Sequence, residues 1–363
     1  MSEQSLKLTA YFGERQRVVA EPQRFLADGM LDLFGSHDIA TSVMLRGIAS
    51  FGPKGDLRSD SSLSLSEDPP VTIAAVDIES KIRAVVNDVT AMTGRGMVTL
   101  ERAHLVTKDS GTDALSTIDS DDAAKLTIYV GRQVRVLGAY AHYAICELLH
   151  QHGFAGATVL LGVDGTAHGQ RRRAKFFGRN VNVPQMIIAV GSPTQVSAAA
   201  TELATVLAEP LLTIERVRLC KRDGELLSRP QELPPTDSQG RTLWQKLMVH
   251  TAAVGHDETQ PIHRAIVQQL MQSQAARGAT VLRGIWGFYG NHKPQGDKLF
   301  QLARQVPVTT IVVDTPQAIA RSFDIIDELT GHHGLVTSEM VPAAMTVNGP
   351  EHKPETPLAE YDY

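Results

Sequence analysis

The 363-residue sequence predicts an α+β protein built from three tandem βαββαβ units. Three observations predict it. Lys7-Leu8-Thr9 returns as Lys125-Leu126-Thr127, and Lys246-Leu247 opens a third copy, at spacings of 118 and 121 residues. Self-similarity at a spacing this long marks tandem domain-sized units. Ala40-Thr41, Ala157-Thr158 and Ala279-Thr280 begin equivalent runs, and VTLERAHLV (98–106), LTIERVRLC (212–220) and VTSEMVPA (336–343) close the three units. The hydrophobic period then switches between 2 and about 3.6 in the same order within each unit.

Each unit opens on a short alternating strand, in which Leu6, Leu8, Ala10 and Phe12 share one face. A helix follows. Leu26, Met30, Leu33 and Phe34 form its apolar stripe, repeated by Ala141, Ala144, Ile145, Leu148 and Leu149. A second strand covers 40–46, 157–163 and 279–283, and a long polar loop covers 51–70, 168–184 and 288–306. The third strand spans 71–76, 185–190 and 308–313. The second helix carries Ile78, Ile82, Val85, Val89 and Met92 on one face, and Ile319, Phe323, Ile326 and Leu329 in copy three. Ser192-Pro193-Thr194-Gln195 reads as a capping box with proline at the first helical position. Thr315-Pro316 repeats the signal, and Asp77 reads as the cap in copy one. A fourth strand ends the unit. The order is ferredoxin-like: a four-stranded antiparallel sheet with two helices on one face.

The third strand sets the assembly. Met186-Ile187-Ile188-Ala189-Val190 is apolar throughout, and Ile311-Val312-Val313 and Ile73-Ala74-Ala75-Val76 are nearly so. A strand buried on one face alternates; an unbroken apolar run is buried on both. The helices cover one face only, so the other must be covered by the sibling sheets or stand exposed. The expectation is an intramolecular pseudo-trimer, with units at 5–106, 125–221 and 244–343, linkers at 107–124 and 222–243, and a disordered tail over 344–363. Tethering raises the effective concentration of each unit for the others.

Composition limits the function classes. The net charge is −5 and the pI about 6.2, so no whole-chain electrostatic case for nucleic acid exists. Apolar runs are strand-sized, which predicts no membrane span. The first ten residues show no secretory pattern, and two cysteines, Cys146 and Cys220, read as buried thiols, so a cytoplasmic setting is expected. The histidines carry no metal-ligand spacing, and no catalytic triad or carboxylate pair stands out, so neither a metal site, a cofactor nor an enzyme is expected. The long loops differ in charge. The second carries Arg171, Arg172, Arg173, Lys175 and Arg179 with no acid, for +5, while the first is −2 and the third +2. The +5 loop is a candidate partner-binding surface; the alternative is a solvated charge run.

LKLTAYFGE (6–14), ATSVMLRGIASFG (40–52), LSLSEDPPV (63–71) and GRGMVTLERA (94–103), with GATVLRGIWGFYG (278–290), VPVTTIVVDTP (306–316) and GLVTSEMVP (334–342), resemble the PII-like signalling proteins, in the branch called domain of unknown function 190. The resemblance implies a regulatory protein acting as a monomeric pseudo-trimer. It would sense an adenine nucleotide or other small anion in clefts between repeats and contact a partner, such as a membrane transporter, through the long loops. A scaffold with degenerate clefts is the alternative; a weak acylphosphatase-like hydrolase ranks below it. The positions carried over are Arg46, Gly47, Phe51, Gly94, Gly96, Glu101 and Arg102 in copy one, and Arg283, Gly284, Phe288, Gly331, Gly334 and Glu339 in copy three. Glycines would let backbone N–H groups approach a phosphate, and arginine offers it a planar fork. Gly94 and Gly96 could instead end a helix, and Arg46 and Arg283 could salt-bridge at a repeat boundary. Copy two departs from the pattern, with Gly162-Val163-Asp164-Gly165 and Ala208-Glu209-Pro210 in the matching places.

Overall fold

The structure, a computed structural model, describes residues 4–53, 55, 57–59, 68–107, 123–136, 138–167, 169–171, 183–252, 260–290, 292–296, 306–331, 333–348 and 357–361. Repeat 1 contains β1 (Ser5–Gly13), α1 (Leu26–Ser36), β2 (Thr41–Phe51), β3 (Pro70–Ile78), α2 (Glu79–Met92) and β4 (Arg95–Thr107). Repeat 2 contains β5 (Ala123–Gly131), α3 (Ala141–Gln151), β6 (Gly156–Ala167), β7 (Pro184–Gly191), α4 (Pro193–Val206) and β8 (Leu211–Arg222). Repeat 3 contains β9 (Trp244–Ala252), α5 (Ile262–Gln272), β10 (Ala279–Tyr289), β11 (Pro307–Asp314), α6 (Pro316–Leu329) and β12 (Leu335–Val341), followed by β13 (Ala343–Asn348). Short strands decorate the loops, of two residues each except Glu21–Phe25.

All pairings are antiparallel. Repeat 1 runs β2–β3–β1–β4, repeat 2 β6–β7–β5–β8 and repeat 3 β10–β11–β9–β12. The repeats then join edge to edge in a closed cycle. The second strands pair as β2–β6, β6–β10 and β10–β2. The fourth strands pair as β4–β8 and β8–β12, and β13 closes the circuit on β4.

The third strands are buried along their length: every residue of β7 and β11 is covered, and all but Ile78 in β3. On the helix side each repeat has its own core. On the other side Val43, Val76, Leu160, Ile188, Met248, Leu282 and Val313, drawn from all three repeats, share one cluster. The outer cores are also interlocked. Phe51 of repeat 1 sits in the core of repeat 3, Phe288 of repeat 3 in that of repeat 2, and Val163 of repeat 2 packs on that of repeat 1.

Three expectations need correction. Asp77 does not cap α2: Ile78 holds that position, and the Asp77 carboxylate accepts the Ala40 and Ile78 amides, fixing the start of β2. Thr315 stands at the N-cap of α6 without a side-chain cap bond, whereas Ser192 and Gln195 form the full capping box. The tail is not disordered at 344–348, which lie in β13, or at 357–361. There the Ala359 amide donates to the Pro342 carbonyl, and the Tyr361 hydroxyl donates to the carbonyls of Val341 and Trp244. Pro342, which has no N–H to give a ladder, separates β12 from β13 where β4 and β8 run unbroken.

Candidate functional site

The first strand alternates in sequence, yet its polar face is not solvated: Lys7, Lys125 and Lys246 are buried. Register explains where they point. Lys7 lies opposite Glu101, Lys125 opposite Glu215 and Lys246 opposite Glu339. Each ammonium bridges its own repeat's carboxylate and that of another repeat. Lys7 joins Glu101 (3.0 Å) and Glu215; Lys125 joins Glu215 (3.0 Å) and Glu339; Lys246 joins Glu339 (2.8 Å) and Glu101. The result is a closed six-membered ring of alternating charge on the axis the repeats share. The three carboxylates converge within 4.8 Å, as cation ligands would, but three ammonium groups already neutralise them. At Lys7, Lys246, Glu101 and Glu339 the flanking opposite charges outweigh burial, holding the two lysines above the usual lysine range and the two carboxyls below the usual carboxylate range, whereas at Lys125 burial prevails and lowers the pKa. Glu101 and Glu339 are therefore corrected: they close the axis rather than line a ligand cleft.

Clefts do form where one repeat's second strand meets the next. Between repeats 1 and 3 a groove of about 120 Å³ is walled by Tyr11, Phe12, Phe51, Met97, Ile311 and Val313, and it receives Arg58, Arg95 and Arg277. Its described lining contains no carboxylate. Arg277 is aimed by Asp314, whose carboxylate accepts its Nε (2.9 Å), Nη2 (2.6 Å) and backbone N–H (2.8 Å); its guanidinium lies 4.9 Å from the Trp244 ring centre. Arg58 stands where the first long loop leaves β2, 3.8 Å from the Asp68 carboxylate. Gly96, near the start of β4, lets that strand approach β1: its φ is +153°, and a Cβ there would fall 2.4 Å from the Tyr11 carbonyl oxygen.

The pseudo-equivalent clefts differ. Between repeats 1 and 2 the space is larger, about 480 Å³, and Glu209 is its one charged lining residue among those described. Between repeats 2 and 3 the Phe288 ring and buried His250 fill the groove, leaving no water-sized space.

Of the expected positions, Phe51 and Gly96 line the cleft between repeats 1 and 3. Phe288 plugs its counterpart, edge-on to His150 at 5.2 Å. The others are elsewhere. Arg46 is exposed and paired with Glu14. Gly47 packs on Pro70 and the Val281 carbonyl, and Gly284 on Thr158 and Pro307. Gly94 lies beside Val19, Arg102 donates to the Ala359 carbonyl at 2.9 Å, and Arg283 is half-buried near His263. Gly331 follows α6 and Gly334 turns the chain into β12 at φ +111°. Arg171 is held by Asp28, Asp32 and Asp164 and is not a free partner contact; Arg172, Arg173, Lys175 and Arg179 lie outside the described residues. Arg58, Arg95 and Arg277 were not expected. Arg95 stands between the two glycines that were, and Arg277 directly precedes a carried-over run.

Comparison with known proteins follows the same repeat. The family model described as "Uncharacterized ACR", domain of unknown function 190, matches three times, at residues 5–105, 123–219 and 244–343. A "UPF0166 protein" of Aquifex aeolicus (strain VF5) is 30% identical over 96 residues, which is 26% of this chain and 88% of that protein.

Proposed function

Because the chain belongs to the PII-like family of domain of unknown function 190, in three tandem copies, we propose that it is a regulatory protein that senses a small anionic effector. An adenine nucleotide is the first candidate, and the cleft between repeats 1 and 3 is the seat. One observation carries this reading: three guanidinium groups from two repeats enter an apolar groove whose described lining holds no carboxylate. Guanidinium forks match phosphate oxygens, and the flanking apolar side chains suit a flat base.

The reading supplies a route to a partner. Arg58 lies at the root of the first long loop, so an anion shared by Arg58, Arg95 and Arg277 would tie that root to the neighbouring repeat. Loop position would then report occupancy to a partner, for which the family suggests a membrane transporter. We read the sheet order and cyclic joining as a ferredoxin-like pseudo-trimer that acts as a monomer in the cytoplasm. Among the described residues no helix is long and apolar enough to cross a membrane. We read the role as sensing rather than catalysis, since the described lining of this cleft offers no carboxylate, histidine, cysteine or lysine as a general base.

Isothermal titration and thermal shift with ATP, ADP, AMP and cyclic nucleotides test the proposal. Binding of at least one, with a raised melting temperature, is expected. Loss of a charged hydrogen-bond partner in Arg277→Ala should weaken it about 10–100-fold. No heat and no shift with any of them would remove the nucleotide reading.

A further inference from the structure

We infer that the molecule takes one polyanionic effector per chain, because its three pseudo-equivalent clefts have diverged into one cationic, one acidic and one filled site. The inference deepens the proposed function and rests on it.

The equivalence follows from register. In each repeat the second strand is met by a two-residue strand from the long loop, and the pairs nearest the loop are Ser50–Arg58, Ala167–Gln170 and Gly287–Gln295. Arg58 therefore corresponds to Gln170 and Gln295. The Thr-x-Glu frame of the last strand is Thr99–Glu101, Thr213–Glu215 and Thr337–Glu339, which aligns Arg95 with Glu209 and His333. The Asp314 carboxylate accepts the Arg277 amide as the Asp77 carboxylate accepts the Ala40 amide, and Thr280 lies opposite Ile311 as Thr158 lies opposite Ile188, which aligns Arg277 with Ala40 and Ala155.

Each cleft combines positions from two repeats. The one between repeats 1 and 3 receives Arg58 and Arg95 from repeat 1 and Arg277 from repeat 3, three guanidinium groups, of which Arg277 is held by Asp314 and Arg58 lies 3.8 Å from Asp68. The one between repeats 1 and 2 has Gln170 and Glu209 from repeat 2, with Ala40 at the repeat 1 position, for one negative charge among the described lining residues. For the one between repeats 2 and 3 the three aligned positions are Gln295, His333 and Ala155, none of which lines the space that Phe288 fills. Size alone would favour the cleft between repeats 1 and 2, which is the roomiest. Among the described lining residues its one charge, Glu209, repels an anion, whereas three guanidinium groups attract one, so charge decides. A homotrimer must present three identical clefts; a single chain is free to keep one.

Titration of the full chain with ATP reads the number of sites. A stoichiometry of 1 is expected. The double variant Arg58→Gln/Arg95→Glu, which gives this cleft the residues of its acidic counterpart and leaves the Arg277–Asp314 pair in place, should weaken binding at least 100-fold in a chain that circular dichroism shows still folded. Glu209→Ala should leave stoichiometry and affinity unchanged. A stoichiometry of 2 or 3, or a single site that survives the double variant, would overturn the inference while leaving anion sensing intact. No binding by ATP or any other nucleotide would overturn the sensing reading and the inference together.

Discussion

Six charged side chains meet where an uncompensated charge is most costly. Breaking a buried ion pair by removing one partner costs about 3–5 kcal/mol, because the opposite charge is left without compensation. Lys125, whose side chain is 2% exposed, is the clearest case. Lys125→Met should lower the free energy of unfolding by that amount in denaturant titration, whereas replacing all six members with apolar residues of similar volume should recover most of it. His250 gives a second prediction. Burial, then the nearby Lys125 charge, push its pKa from 6.5 down to about 4. Between those values the unfolded chain binds the proton and the folded chain does not. Stability should therefore be full above pH 6.5 and fall by up to about 3 kcal/mol as pH drops through 4. His263, displaced in the same direction to about 4 by burial and Arg264, adds to the slope. Midpoints of urea unfolding from pH 7 to 4 check it, and His250→Phe should flatten the curve. At this scale the sequence was half legible. The recurrence of Lys-Leu and Thr-x-Glu was visible as a repeat marker, but a lysine on an alternating strand reads as a solvated face. That Lys7 is buried depends on Glu215, which lies 208 residues away.

Elements were more legible than residues, for a physical reason: hydrophobic period reports which faces are covered, whatever covers them. The unbroken apolar run of β7 announced burial on both faces, and the structure covers every residue of it. The capping box at Ser192 was equally direct, since both its bonds are local. The tail failed because its cover is remote. MTVN reads as polar and isolated until β13 is seen along β4 at Arg95–Leu100, with Arg102 gripping the Ala359 carbonyl beyond it. Deleting residues 342–363 removes that ladder and bares the edge of β4, an open template for aggregation. The truncated chain should melt several degrees lower and self-associate, as light scattering would show. An unchanged melting temperature would mean that β13 contributes nothing to closure.

For the whole molecule the cycle of pairings is the organising fact. Second strands lean one way round the axis and fourth strands the other. Phe51 is lent to repeat 3, while Val106 is lent to repeat 2 and Ala343 to repeat 1. No repeat completes its own core, and the central cluster belongs to all three. The need for a common interior could be read from the third strands alone. Which cleft between repeats would keep its cations could not, because each cleft combines residues from two copies whose alignment only the register supplies. Interlocked repeats must unfold together. Differential scanning calorimetry of the full chain at neutral pH, without ligand, tests this most directly. A single transition whose calorimetric and van't Hoff enthalpies agree is predicted; three resolved transitions, or a van't Hoff enthalpy near one third of the calorimetric value, would contradict a shared interior.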